Sequence, residues 1–381
     1  MDDIWKSTKF TGQIEGGISY DPSRGPDSYN FGQLFTDKGN TVELNQALLT
    51  MERDTDPMAT DWDLGFKLQG LFGSDARYVH YLGEFTHVTD DRDQPEILEA
   101  NVSVHMPIAF ASGIDLKVGQ FPTPEGYEVI NASGNPFYSH SYIFNFGLPF
   151  VATGATAVAH VNATLDIYAE VDTGLNTTFG DGDYNKEPAG LAGFGLNNLM
   201  GGKVTVVALS HFGPEDSTKV IGGAANHYWR FLNDAVITYK PNMKLTLTTE
   251  VNYSREDYFH AEAYGVAQYA AYPLTDTVTF NARGEVFRDS ENFFVAGFPG
   301  NQDYVNAQLG NPTTALFADK PGTYSEATLG LAIAPKVPGP LTGLTIRPEV
   351  RYDRSLNNSR PYAGNKDDGA LTVATDVIVG F

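Results

Sequence analysis

The sequence predicts an all-β fold: a single transmembrane antiparallel β-barrel of about 16 strands, with short periplasmic turns and long extracellular loops. Three observations predict it. Apolar and polar residues alternate with period two in segment after segment, as in a pleated strand whose two faces meet different surroundings. The alternating segments run roughly 9–14 residues, longer than the ~5–6 of most soluble strands and enough to cross a bilayer at a tilt. Short and long connections take turns along the chain, the layout of an outer-membrane barrel.

The strands are read in order as follows. The first five fall at 8–20, 41–53, 61–73, 95–107 and 113–121. In the third, Trp62, Leu64, Phe66 and Leu68 oppose Asp63, Lys67 and Gln69. The next four fall at 149–161, 163–173, 189–198 and 202–212, and Leu165, Ile167, Ala169 and Val171 oppose Asp166, Tyr168, Glu170 and Asp172. Segment 228–240 opens its apolar face with Trp229 and Phe231 and closes it at Tyr239, interrupted by the polar Asn233. Segments 243–255, 260–272, 276–288, 323–334, 343–355 and 369–381 complete the set. The clearest is 343–355, where Arg347, Glu349, Arg351 and Asp353 alternate with Ile346, Pro348, Val350 and Tyr352. The chain ends on Val373, Thr375, Val377, Val379 and Phe381 at every second position. Alternation is blurred in 41–53 and 189–198.

An even strand number places both termini on the periplasmic side. The long connections, 21–40, 74–94, 122–148, 173–188, 213–227, 290–322 and 355–368, are rich in Asp, Gly, Asn and Pro and read as surface loops. Segment 74–94 has room for extra strand beyond the membrane. No compositional break divides residues 1–381, so the barrel is one domain.

Composition bounds the function. Against 25 Lys and Arg stand 47 Asp and Glu, and the formal charge of −22 excludes nucleic acid, which needs a basic footprint. The absence of cysteine removes disulfides, thiol chemistry and Cys-based zinc sites. No run approaches 18 apolar residues, which excludes a membrane helix but not a barrel. The stretch "MDDIWKSTKF" holds no apolar run, and the expectation is a processed mature chain with an added Met1 rather than a cytosolic protein.

Two passages carry a resemblance. One begins "GQIEGGISYDPSRGPDSYNFGQLF" and runs to "GLFGSDARY"; the other is "LKVGQFPTPEGYEVINASGNPFYSHSYIFNFGLPFVATG". The second, with Gly119, Phe121, Thr123, Pro124, Gly126, Glu128, Ser139, Ser141, Tyr142 and Pro149, resembles the OmpL-like β-barrel porin family. Its "GQF.TP.G" core is also similar to phosphate-selective porins. The resemblance implies a pore in the bacterial outer membrane, surrounded by lipid and passing small hydrophilic solutes. A terminal aromatic such as Phe381 resembles the signal by which such barrels are assembled.

The candidate pore-lining charges are Asp63, Lys67, Glu99, Asp115, Lys117, Glu250, Arg283, Glu285, Arg347, Glu349 and Arg351. Opposed clusters would set a transverse field that sorts ions; the bland alternative is a salt-bridged filler. Most of the Arg come from 276–288 and 343–355, read as neighbouring strands with a basic stripe. Segment 122–148, with Glu125, Tyr127 and Glu128, is long enough to fold inward and narrow the pore, or to pack as a surface loop. In "GDGDYNKE", Asp181, Asp183, Asn185 and Glu187 are spaced like the start of a calcium loop, but the glycine and the closing Glu of that motif are missing. Calcium is thus the one cofactor the sequence raises, and a solvated acidic loop accounts for the motif better. The eight His are scattered and no hydrolase or metalloprotease motif occurs, so no enzyme is expected.

The reading is a passive diffusion channel, as a monomer or a homo-oligomer such as a trimer. One rival is a structural barrel with a plugged interior whose acidic loops dock a surface partner. Another is a soluble sandwich that stacks sugars on Trp and Tyr. An anion porin is a variant of the main reading, motivated by the Arg stripe.

Overall fold

The structure is a computed structural model that describes all residues except 1–5, 23, 25–27, 86–90, 109, 111, 183, 315 and 317–319. Its strands are β1 (Lys9–Tyr20), β2 (Ser28–Tyr29), β3 (Lys38–Gly39), β4 (Val42–Arg53), β5 (Asp63–Gly73), β6 (Gln94–Met106), β7 (Ile114–Pro122), β8 (Val151–His160) and β9 (Leu165–Asp172). They continue as β10 (Ala189–Asn198), β11 (Val204–Gly213), β12 (Arg230–Tyr239), β13 (Thr246–Glu256), β14 (Ala261–Pro273), β15 (Val278–Asp289), β16 (Gly322–Ile333), β17 (Gly343–Ser355) and β18 (Gly369–Gly380). Sixteen form the wall; β2 and β3 are a two-residue pairing inside a long connection.

Closure follows from the solvent. Lipid offers backbone N–H and C=O groups no partners, so a spanning sheet can have no open edge. Strand β1 meets this demand by pairing antiparallel on both sides, Ile14 facing Ala47 of β4 and Val379 of β18. The side chains sort as the alternation requires. In β18, Leu371, Val373 and Val377 are exposed while Thr372, Ala374 and Asp376 are buried. Exposed aromatics form two girdles: Phe10, Trp62, Tyr272 and Phe280 near the short turns, and Tyr20, Trp229, Tyr264 and Tyr352 near the long loops.

The irregular places have local causes. The polar Asn233 on the outer face is fully used: it accepts from Ser210 Oγ at 2.9 Å and donates to the Tyr253 carbonyl at 2.8 Å. Alternation blurs in β4 because the register shifts between Gln46 and Leu44, leaving Asn45 as a bulge. Asn45 and Gln46 are then both buried, and both donate to Asp75, at 3.1 and 2.9 Å. In β10 the inward positions Leu191, Gly193 and Gly195 are as apolar or small as the outward ones.

Two expectations are corrected. Segment 74–94 does not extend a strand above the membrane: Ser74–Arg77 form a 3-10 turn, and residues 74–82 are all buried. Nor are all the long connections surface loops. Residues 30–37 and 74–82 turn inward because they carry Phe31, Leu34, Phe35, Tyr78, Val79 and Tyr81, which join a hydrophobic cluster within the barrel. Their charges go with them in pairs, Arg77 to Asp37 at 3.0 Å.

The seam where the chain ends is tight. Gly12 and Phe381 exchange backbone hydrogen bonds at 2.8 and 2.9 Å, and a Cβ at Gly12 would lie 2.2 Å from the Phe381 ring. Gly12→Val should therefore displace the terminal ring and slow closure of the seam. Heat-modifiable gel mobility of the refolded variant should give a smaller folded fraction than wild type; an equal fraction would remove the seam role from this contact.

Candidate functional site

Between β7 and β8 the chain enters the lumen, and every residue from Phe137 to Val151 is buried. Local signals shape it. Asn131 caps a 3-10 turn by accepting the Ser133 N–H at 3.1 Å. Ser141 caps the helix Tyr142–Gly147 by accepting the Phe144 N–H at 3.0 Å. Strand β14 makes room for the helix with an inward stripe of Ala261, Ala263, Gly265 and Ala267. A Cβ at Gly265 would lie 3.1 Å from Ile143 and closer still to Phe287. Tyr142 stacks on Tyr324 at 5.4 Å, and Phe35 packs on Phe144 and Phe150 at 5.4 and 5.5 Å.

A buried irregular segment carries backbone groups that no sheet satisfies. The wall charges satisfy them. Glu250 accepts the Tyr127 N–H at 2.9 Å, Glu349 those of Tyr138 and Ser139 at 2.8 and 3.2 Å, and Glu285 those of Tyr142 and Ile143 at 2.6 and 2.8 Å. Arg283 donates to the Ser139 carbonyl at 2.8 Å, Arg347 to Ala132 and Asn135 at 2.7 and 2.8 Å, and Arg351 to His140 at 2.5 Å. Each guanidinium is also ion-paired: Arg283 with Glu128 and Glu326, both at 2.7 Å; Arg347 with Glu15 and Asp376; Arg351 with both oxygens of Asp353. The strands 276–288 and 343–355 are not neighbours, since β16 lies between them and supplies Glu326. The arginines are therefore neutralised individually, and no free basic stripe faces the lumen.

The other predicted wall charges sit on the opposite arc. Asp63 pairs with Arg53 at 2.8 Å, Lys67 with Glu99 at 2.7 Å, and Asp115 lies between His105 and His160 at 2.7 and 3.0 Å. Lys117 lies 6.0 Å from the centre of the Phe121 ring. Asp63, Lys67, Asp115 and Lys117 are half-buried, and space remains beside them.

Three cavities follow this arc. An outer one of about 310 Å³ is lined by Glu215, Asp216 and Arg230. A middle one of about 210 Å³ is lined by Lys67, Glu99, Glu125 and Glu128. An inner one of about 380 Å³ is lined by Arg53, Lys67, Asp115 and Lys117. The outer and middle cavities share Leu148, Pro149 and Phe150; the middle and inner share Lys67 and Pro122.

The two acids of the segment contrast. Burial opposes the charge on Glu128, but the Arg283 guanidinium and His140 hold its carboxyl down at about 2. Burial pushes the Glu125 carboxyl up to about 8, because no cation of that kind stands beside it. Tyr127 packs its ring 4.5 Å from that of Tyr269. Of the calcium-like loop, Asp183 and the side chain of Asp181 lie outside the described residues. Asn185 donates to the Pro214 carbonyl at 2.6 Å, and Glu187 accepts from Asn226 at 2.9 Å. Among the described residues no cluster of acidic and His side chains is arranged to hold a metal ion.

Sequence reasoning missed the partners: Glu15, Glu326 and Asp376 on the wall, and Ser139 and His140 on the segment. The wall acids sit at inward positions of strands the alternation had placed, so they were findable. The register that brings them to each arginine was not.

Arg283→Ala leaves Glu128 and Glu326 buried without their cation, which should cost about 3–5 kcal/mol. Thermal unfolding should begin well below wild type; an unchanged midpoint would mean the segment is held elsewhere. The folded-state pKa of Glu128 lies below its ordinary 4.5, so its stabilisation is full above that pH and is lost as pH falls toward 2. Glu128→Gln should remove that acid-limb dependence from the unfolding profile.

A family profile described as "Putative beta-barrel porin-2, OmpL-like" matches residues 7–381. No curated protein matches the chain significantly. Among solved structures, the outer membrane channel DcaP of Acinetobacter baumannii is 14% identical with a TM-score of 0.58, over 98% of this chain and 97% of that one. OprB of Pseudomonas putida is also 14% identical at 0.58, over 100% and 96%. An anion-selective porin from Comamonas acidovorans is 10% identical at 0.59, over 98% and 99%. At these identities the likenesses establish the fold. The family match over nearly the whole chain establishes more: the protein belongs to the OmpL-like β-barrel porins and is an outer-membrane channel rather than an enzyme.

Proposed function

We propose that small hydrophilic solutes cross along the arc of β4–β12, beside the luminal segment, through the outer, middle and inner cavities in turn. The observation that carries this reading is their shared lining: each cavity meets the next at residues common to both. The route is narrowest where Leu148, Pro149 and Phe150 of the segment face Lys67 and Glu99 of the wall. No energy source is required, since the wall offers a track and no moving part. One chain contains the whole route, so monomers and trimers conduct alike, a trimer in groups of three steps.

Charge favours cations. Arg53, Lys67 and Arg230 on the track are each paired with a carboxylate within 3.0 Å. Glu125 has no such partner, and Glu99, Glu215 and Asp216 add to the negative field. The anion variant loses its basis, because Arg283, Arg347 and Arg351 are buried and ion-paired.

The test is conductance of detergent-purified protein in a planar bilayer under a KCl gradient. Small discrete steps with a cation-signed reversal potential are expected. Replacing Glu285 and Glu349 together by Ala frees four backbone N–H groups of the segment and should enlarge the steps. A folded barrel without steps would overturn the conducting reading, and an anion-signed potential would overturn the selectivity.

A further inference from the structure

The luminal acids outside the anchoring set form a second group. Glu125 of the segment is 3% exposed, and neither of its carboxylate oxygens has a hydrogen-bond partner. It lies beside three inward side chains of the facing wall: Glu170 of β9, His211 of β11 and Asp234 of β12. Each of these also carries an unpartnered buried atom, Glu170 Oε2, His211 Nδ1 and Asp234 Oδ2. His211 is fixed from behind by Asp172, 3.2 Å from its Nε2, and Glu215 stands 3.9 Å from its Nδ1. Glu125 lines the middle cavity, Glu215 lines the outer one, and Glu170 pairs across the sheet with Thr156, which lines the inner one.

Buried carboxylates are normally hydrogen-bonded, and several left without donors at one place describe the complement of a missing group. All the vacant atoms accept, given that a neutral His211 donating from Nε2 to Asp172 presents a lone pair at Nδ1. The complement is therefore a cation rich in N–H. A bare metal ion fits poorly, since among the described residues no three such side chains converge as metal ligands do. We propose that Glu125, Glu170, His211 and Asp234 form a station for the ammonium or guanidinium end of a solute, where the three cavities meet.

The proposal rests on the solute path drawn above. It explains why Glu125 is unpaired while Glu128, three residues on, is held by Arg283: one acid anchors the segment and the other is offered to the lumen. It also sets a pH dependence. With the Glu125 carboxyl at about 8, cation binding takes up its ionised form and strengthens as pH rises toward that value. Glu170, His211 and Asp234 face Glu125 from the wall, and Asp172 and Glu215 stand behind His211.

The test is calorimetric titration of the detergent-solubilised full chain with propylammonium and guanidinium chlorides, run beside bilayer recordings. Tetramethylammonium, with the same charge and no N–H, is the control. Binding is expected for the two donors and not for the control, stronger at pH 8.5 than at 6.5. Glu125→Gln and Asp234→Asn should each weaken it on the order of tenfold, the loss of one charge-assisted bond. Glu125→Gln exchanges an unpaired acid for its isostere and so keeps the fold; Glu170→Gln is the second such variant. Equal binding of all three cations, or binding unchanged in these variants, would overturn the station. Conductance without N–H-selective binding would leave the solute path standing and remove the station. Binding without conductance would do the reverse.

Discussion

The guanidinium of Arg283 lies between Glu326 on the next strand and Glu128 on a segment distant in sequence, and the interior is organised around contacts of that kind. A barrel this wide would hold water throughout if nothing entered it. An irregular segment can enter only if its N–H and C=O groups find partners, each costing about 1–3 kcal/mol if left bare. A wall of buried charges can persist only if each is matched. Here each need meets the other. Glu250, Glu285 and Glu349 accept the N–H groups, Arg283, Arg347 and Arg351 donate to the carbonyls, and acids on adjacent strands balance the arginines.

This division makes the barrel asymmetric. One arc, from β13 around to β1, is committed to holding the segment. The other arc, β4 to β12, keeps half-buried charges, three cavities and several acids with no donor. Holding and conducting are thus assigned to different faces of one lumen. The interior resembles a filled barrel at first sight because the packed arc carries most of the aromatic mass, yet the conducting arc runs past it.

Much of the fold was legible because lipid leaves so little choice. A strand with lipid on one side and water or protein on the other must alternate, so Val373, Val377 and Phe381 announce the last strand without any knowledge of its neighbours. The blurred strands were those whose inward face is itself apolar or bulged, β10 at Leu191 and β4 at Asn45. Less of the interior could be read. The alternation put Arg347 and Glu349 on the inner face but said nothing of what would meet them, since their partners lie more than 200 positions away in segment 122–148. The inward turn of residues 30–37 and 74–82 was visible in principle: "FGQLF" and "YVHYL" are too apolar for a surface loop. Their flanking Asp, Gly and Asn were weighed instead.

The aromatic cluster ties together loops that leave the wall at different places. Phe31 and Phe35, Tyr78, Phe144 and Phe150, and Phe298 come from four separate connections and share one packed core. Loops on a barrel rim are ordinarily free to lengthen, shorten and diverge one at a time. These four cannot: a change of volume in one must be absorbed by the other three, much as in the interior of a soluble domain. Freedom to vary moves to the opposite end of the molecule, to short turns such as the one carrying the fully exposed Met243. The barrel is thus turned over in evolutionary terms, with its elaborate loops the conservative part and its plain turns the permissive one.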